Sequence, residues 1–278
     1  MKQKARMVGK GLVYMVLITY AAISLYPLIW LFLYSFKNNE EIFVTNPFGL
    51  PMVWRGSNYV EAVTRFNIMV YFKNSMIVSV LTILLLILFS MMFCYVIARI
   101  QTRFTKLMHS TIMSGMFIPI QAVMIPLVIM VRRLGITNSL WSVIIPYVAL
   151  GFPFACMLLY GFYLSIPIAL EESAYLDGAS FGKTYFSIIF PQMKSPMLVL
   201  VIYEFMSCWN EFSLAKVLLT KDAMKTLPLG LAGFWGQYST QWGVIGAALV
   251  IASAPVLIAY LFFSNQISDA MATSGMKG

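Results

Sequence analysis

Glu171, Glu172, Asp177 and Lys183 crowd into one short stretch, Leu170–Pro191, which reads LEESAYLDGASFGKTYFSIIFP between long apolar runs. So many charges are unfavourable in a bilayer, so the stretch lies outside it. Its local grammar is helix, turn, helix. Pro167 suits a first helical turn, where its missing N–H would be unpaired anyway. Glu171 and Glu172 fall near that start, where the helix dipole favours negative charge. Gly178 fits the position just past the helix end, which often needs a positive φ. Ser180 is then an N-cap for a second short helix that ends before Pro191. On local signals alone this is an amphipathic connector between two membrane helices. Within it, Gly178-Ala179-Ser180-Phe181-Gly182-Lys183-Thr184 imitates a phosphate-binding loop. That motif needs four residues between its glycines and a preceding strand; here there are three, after a helix. No ATP site is expected in this chain by that route.

A second group of polar residues falls inside the apolar runs. Glu204 and Glu211 are seven residues apart in one run, so as a helix they would share a face, with Tyr203, Trp209 and Asn210 nearby. Charges within a span are costly and mark functional candidates. Acids, an amide and aromatic rings together suit a wet cavity: rings stack on the apolar faces of pyranoses, while Asn and Glu meet hydroxyls. Gln121, between Pro119 and Pro126, is a candidate from another run. The plainer alternatives are that Glu211 ties helices together or pairs with a partner subunit, and that Tyr203 and Trp209 are core. Cys94, Cys156 and Cys208 are far apart in apolar runs, and His109 is the sole histidine, so neither a disulfide framework nor a metal pattern emerges. No nucleophile with a base and no paired Asp appears within the spans, so the chain is not expected to be an enzyme. A third stretch, Thr226–Gln241, carries Gly230, Gly233 and Gly236, which permit sharp turns, and Phe234, Trp235 and Tyr238, which offer contact surface or an interfacial aromatic belt.

The elements that must position these residues follow from composition. The chain is 60% hydrophobic and 10% charged, against about 25% charged in a typical soluble domain. Apolar runs of bilayer-spanning length recur. An all-α integral membrane protein is expected, because helices satisfy their backbone polar groups internally. The runs are continuous rather than alternating, which argues against a β-barrel. The formal charge of +9 reflects Lys and Arg flanking the membrane, since no basic cluster is long enough for a nucleic-acid stripe. Six spans in a single domain are expected over 12–36, 69–98, 107–131, 140–164, 197–219 and 242–263, with 165–196 as a cytoplasmic loop. The first run is too long for a signal peptide core and has no clear cleavage site. Lys2, Lys4, Arg6 and Lys10 precede it without an acid, which places the N-terminus in the cytoplasm; an even span count returns the C-terminus there. Arg103 and the Glu172 loop agree with this orientation, whereas Arg132 and Arg133 oppose it. Residues 37–68 form an extracytoplasmic segment with a short amphipathic piece around Tyr59–Phe66. Pro119 and Pro126 kink the third span.

The polar stretch resembles the EAA loop of importer permeases of the ATP-binding-cassette class, whose pattern is Glu-Ala-Ala, three residues, Gly, nine residues, Ile, one residue, Leu-Pro. Here it reads Glu172-Ser173-Ala174, Gly178, Ile188 and Phe190-Pro191; Ser173 stays small and Phe190 stays apolar. The wider run Leu170–Ala179 is similar to the carbohydrate-uptake branch, in particular the shorter permease of maltose-type systems, and the likeness extends from about Leu12 to the C-terminal tail. The resemblance implies the type I importer permease fold in the bacterial plasma membrane. It also implies a homologous second permease, two cytoplasmic ATPases that bind ATP and magnesium, and an extracytoplasmic sugar-binding protein. Glu171, Glu172, Ser173, Ala174, Asp177 and Gly178 would form the helix that docks in an ATPase cleft. The loop holding Gly230, Gly233, Phe234, Trp235, Gly236 and Tyr238 would reach into the docked binding protein. Two alternatives stay open. One is an importer for a polyol, glycerol phosphate or amino acid. The other is an ion-coupled secondary transporter, disfavoured by six spans without a repeat.

Overall fold

The computed structural model describes the backbone of residues 2–234 and 241–275, and the side chains of 9–234 and 241–262. Among these residues there is no strand. The helices run in order α1 (Lys2–Tyr34), α2 (Ser57–Arg65), α3 (Ile68–Arg99), α4 (Arg103–Ser114), α5 (Ile120–Arg133), α6 (Trp141–Ser165), α7 (Ala169–Leu176), α8 (Phe181–Thr184), α9 (Phe190–Gln192), α10 (Lys194–Asn210), α11 (Ser213–Leu218), α12 (Leu227–Ala232) and α13 (Trp242–Gly275). Four are long and apolar enough to cross a membrane: Gly9–Tyr34, Ile68–Arg99, Trp141–Ser165 and Trp242–Phe262. Two bent pairs, Arg103–Phe117 with Ile120–Arg133 at 106° and Phe181–Gln192 with Lys194–Asn210 at 66°, raise the number to as many as six if each pair is one span.

Three continuous elements expected from the sequence are broken. The run 107–131 does not kink at Pro119; it breaks there. Gly115–Phe117 tightens into a 3₁₀ turn, and Ile118 is extended at ψ 112°, as a residue before proline prefers. The helix after Ser180 does not stop at Pro191. Instead, Tyr185–Ile189 forms a wide turn closed by Phe190 N–H on the Tyr185 carbonyl. Pro191 then falls in the first turn of α9, where no backbone donor is needed. The run 197–219 splits at Glu211, whose backbone is extended at φ −70°, ψ 128°. Glu211 therefore does not continue the helix that carries Glu204.

The expected single domain resolves into two compact units, Met1–Met69 with Leu231–Ala254, and Val70–Gly230 with Pro255–Gly278. The first is built around Lys37, 2% exposed. Its ammonium donates to the carbonyls of Asn46 at 2.6 Å and Gly49 at 2.7 Å, which closes the segment after α1 into a loop. Glu41 closes the same loop from the other side, accepting from Met52 N–H at 2.6 Å. Asn58 of α2 donates to the carbonyls of Ser35 and Lys37 at 2.8 and 3.0 Å. Gly243 must stay bare here: a Cβ would stand 2.0 Å from the Lys37 carbonyl oxygen and 2.6 Å from Asn58 Nδ2. Gly243→Ala should therefore lower the stability of the solubilised protein by about 1–3 kcal/mol, as overpacking does, read as a lower thermal midpoint in detergent. In the same unit the apolar window of α1 has 0% of its residues buried, so α1 presents a helix that is hydrophobic all round to whatever surrounds it.

The second unit packs around two clusters. Leu86, Cys94, Cys156, Leu159, Tyr163 and Leu200 belong to one, Val78, Val143, Ile144, Tyr147, Leu214 and Leu218 to the other. All three cysteines are free and buried. The segment after α11 is tied to α3: Tyr71 donates to Asp222 at 2.9 Å, Asn74 to the carbonyls of Ala223 and Lys225 at 2.9 Å, and Ser75 accepts from Leu227 N–H at 2.8 Å. Asn138, at φ +59°, accepts from the N–H groups of Thr220 and Lys221 at 2.6 and 3.0 Å.

Candidate functional site

Helix α7 forms where its ends are satisfied. Glu171 and Glu172 occupy its first turn. At its other end Gly178 takes φ +78°. Its N–H reaches the Tyr175 carbonyl at 3.0 Å, and Ala179 N–H reaches Ala174 at 2.9 Å, a complete Schellman closure. Pro167 stands just before the helix rather than in its first turn. Ser180 Oγ accepts from Lys183 N–H at 3.4 Å and starts α8.

The two faces of α7 have different tasks. Glu171 and Ala174 are turned inward, at 6% and 5% exposure, whereas Glu172, Ser173, Asp177 and Gly178 are exposed. Glu171 meets Arg99, the last residue of α3, through Nε and Oε1 at 2.5 Å, with both side chains nearly buried. Tyr95 donates to the other carboxylate oxygen at 2.8 Å. The same guanidinium donates to the carbonyls of Tyr163 and Ile166 at 3.0 and 3.2 Å, at the C-terminal end of α6. One arginine thus joins the ends of α3 and α6 to the start of α7, a charge-assisted network rather than a lone surface pair. Nothing local in the sequence marks Arg99 for this role, since its partner lies 72 residues away. On the outer face Leu176 is 89% exposed beside the half-exposed Tyr175.

The acids of the fifth run meet at a separate place. A cleft of about 120 Å³ is lined by Tyr147, Gly151 and Phe154 of α6, by Tyr203, Glu204 and Ser207 of α10, and by Glu211. Glu211 is fully engaged. Its carboxylate accepts from Leu214 N–H at 2.7 Å and Ala215 N–H at 3.1 Å, which caps α11, and from the Tyr147 hydroxyl. Glu204 is 3% exposed, and its Oε1 has no hydrogen-bond partner. Tyr203 stacks on Phe154 with ring centroids 3.9 Å apart. The remaining candidates lie elsewhere. Trp209 is buried against Phe72 and Phe205. Asn210 is exposed and donates to the Met206 carbonyl at 2.8 Å. Gln121 is exposed on α5, outside the cleft that its neighbour Ile120 lines. Tyr147, Gly151, Phe154 and Ser207 carried no sequence signal, being ordinary residues of apolar runs.

The glycine-rich stretch also departs from its expected form. Gly230 makes no turn; it lies in α12, buried, where a Cβ would stand 2.1 Å from the Tyr71 ring. Phe234 is 6% exposed and packs on Phe66 at 4.3 Å, so it offers no free surface. Gly233 is exposed. Trp235, Gly236 and Tyr238 lie outside the described residues.

The chain as a whole is similar to known proteins. The family model described as "Binding-protein-dependent transport system inner membrane component" matches residues 90–272. The diacetylchitobiose uptake system permease protein NgcG of Streptomyces coelicolor is 33% identical over 92% of this chain and 85% of its own length. The multiple sugar-binding transport system permease protein MsmG of Streptococcus mutans is 33% identical over 95% of this chain and 96% of its own. A chain of the crystal structure of a bacterial transporter that imports the acidic polysaccharide alginate superposes with a TM-score of 0.81 at 22% identity, covering 92% of this chain and 95% of that one. This chain belongs to the binding-protein-dependent inner membrane components, the membrane-embedded permeases of ATP-binding-cassette importers.

Proposed function

We propose that the chain is a permease subunit of a bacterial importer that moves sugars, in particular oligosaccharides, across the plasma membrane. It would cross that membrane six times with both ends in the cytoplasm. It would pair with a second, homologous permease. Two cytoplasmic subunits would hold ATP and magnesium, and an extracytoplasmic sugar-binding protein would deliver the substrate. The observation that carries this reading is α7: a short helix, capped at Gly178, with Glu172 and Leu176 bare on one face and Glu171 locked to Arg99 on the other. Such a helix receives a push on its outer face and passes it to α3 and α6 through the inner one. Coupling of this kind needs an element whose position both sites bias. The names of NgcG and MsmG support a carbohydrate as the cargo, and the wholly unburied apolar window of α1 supports a partner helix in the membrane.

The test is uptake in proteoliposomes holding this chain with its operon partners and the binding protein. Labelled diacetylchitobiose and maltotriose should accumulate only with ATP inside, and accumulation should persist when an ionophore collapses the ion gradients. Uptake that follows the gradient and ignores ATP would assign the chain to ion-coupled transport instead.

A further inference from the structure

Among the buried side-chain polar atoms of the described residues that lack a hydrogen-bond partner, Glu204 Oε1 is the one carboxyl oxygen, and the importer reading gives it no task. Glu204 places a carboxyl oxygen at the wall of the cleft, shielded from solvent and without a hydrogen-bond partner. A polar atom in that condition is unfavourable, and native structures rarely keep one without a reason. The site is shaped to hold it. Gly151 lies directly opposite, and a Cβ there would stand 2.8 and 2.9 Å from the two carboxyl oxygens. Every other residue at that position would push the carboxyl away. Nothing else in the cleft answers Glu204: the second acid, Glu211, is already committed to Tyr147 and to the N–H groups of α11.

We propose that this cleft is a subsite of the translocation path that takes one hydroxyl-bearing edge of the carbohydrate, with Glu204 accepting a hydrogen bond from a sugar hydroxyl. The inference rests on the importer reading. Size sets its scale. Pockets that enclose a whole drug-sized ligand run from about 300 Å³ upward, and a water occupies about 30 Å³. A space of about 120 Å³ holds a hydroxymethyl group or a few hydroxyls, not a whole oligosaccharide. The Ser207 hydroxyl, one turn along α10, adds a second polar contact. The stacked pair Tyr203 and Phe154 supplies an aromatic edge, with Tyr203 49% exposed, on which the C–H face of a pyranose rests. A carboxyl wall, a hydroxyl and an aromatic edge are the chemistry of polyol recognition, and the cleft has no cationic side chain among its lining residues, so an anionic group is not its ligand.

The experiment compares wild type, Glu204→Gln and Gly151→Ala in the complete importer, with labelled diacetylchitobiose and maltotriose as probes. Glutamine keeps the shape and replaces one carboxyl oxygen with an amide nitrogen; alanine keeps the carboxyl and fills its seat. Both complexes should assemble, and the sugar moved per ATP hydrolysed should fall by ~10-fold, the order expected for one lost hydrogen bond. Three results would overturn the subsite: both variants transport within twofold of wild type, uptake and ATP hydrolysis fall in step, or the complexes fail to assemble. A wild-type importer that accumulates neither sugar with ATP would instead strike the importer reading itself.

Discussion

Replacing Arg99 with methionine is expected to destabilise the chain by about 3–5 kcal/mol, the usual consequence of leaving one member of a buried ion pair behind. Methionine matches much of the arginine stem but offers nothing to Glu171, whose side chain is 7% exposed, and nothing to the Tyr163 and Ile166 carbonyls. Three acceptors then each lose a donor at once where α3, α6 and α7 meet. Glu171→Gln should cost less, because Tyr95 retains an acceptor and the arginine still holds the α6 carbonyls. The informative variant is the pair Arg99→Met with Glu171→Leu. With both charges gone no unpaired carboxylate is buried, and such exchanges are often neutral or stabilising, so the thermal midpoint in detergent should return most of the way. Transport should not return with it, since the tie between α7 and the ends of α3 and α6 is still cut. An Arg99→Met protein that melts with the wild type would show that the pair is not buried in solution. A double variant that transports normally would show that the pair holds the fold and transmits nothing.

What the sequence discloses and what it conceals divide along the range of the interactions. The long apolar helices α1, α3, α6 and α13 are legible because an apolar run in a membrane has no other way to satisfy its backbone. The closure at Gly178 and the cap at Ser180 are legible because both are settled by residues within one turn. The breaks at Pro119 and Glu211 are not. A proline in an apolar run reads as a kink, and it takes the packing of Gly115 against Pro153, where a Cβ would come within 3.2 Å, to show that the chain turns there instead. Glu211 reads as a helical acid seven residues after Glu204; it caps Leu214 and Ala215, but its other partner, the Tyr147 hydroxyl, lies 64 positions earlier and is not visible in the sequence. Gly230 misleads in the opposite sense. Its type suggests a turn, but its reason is the Tyr71 ring, 159 positions earlier in the chain (230 less 71). Arg99 and Glu171 are each visible in the sequence, yet nothing local says that they touch.

The second large effect concerns the outer face of α7, where Leu176→Arg and Glu172→Lys should abolish ATP-driven uptake and leave the permease as stable as before. The separation of the two outcomes follows from burial. Leu176 is 89% exposed and Glu172 is exposed as well, and surface changes of this kind usually alter stability by no more than about 0.5 kcal/mol. Whatever they do must therefore appear in an encounter with another subunit. If α7 docks on an ATPase as proposed, Leu176 is buried in that contact. Truncating an interface anchor costs 2 kcal/mol or more, which is roughly 30-fold or more in affinity, and a buried arginine in its place adds the cost of an unpaired charge. Gly178→Val acts on the same helix by another route. A β-branched side chain at φ +78° is strained by about 1–3 kcal/mol, so the Schellman closure opens and α7 loses its aim while Glu172 and Leu176 remain. The checks are co-purification of the ATPase with the tagged permease, sugar uptake in proteoliposomes and the thermal midpoint of the isolated chain. The surface variants should lose the first two and keep the third; Gly178→Val should lose uptake with a modest fall in the midpoint. Uptake at the wild-type rate by Leu176→Arg or Glu172→Lys would mean that α7 is a connector and that the push from ATP enters the permease elsewhere.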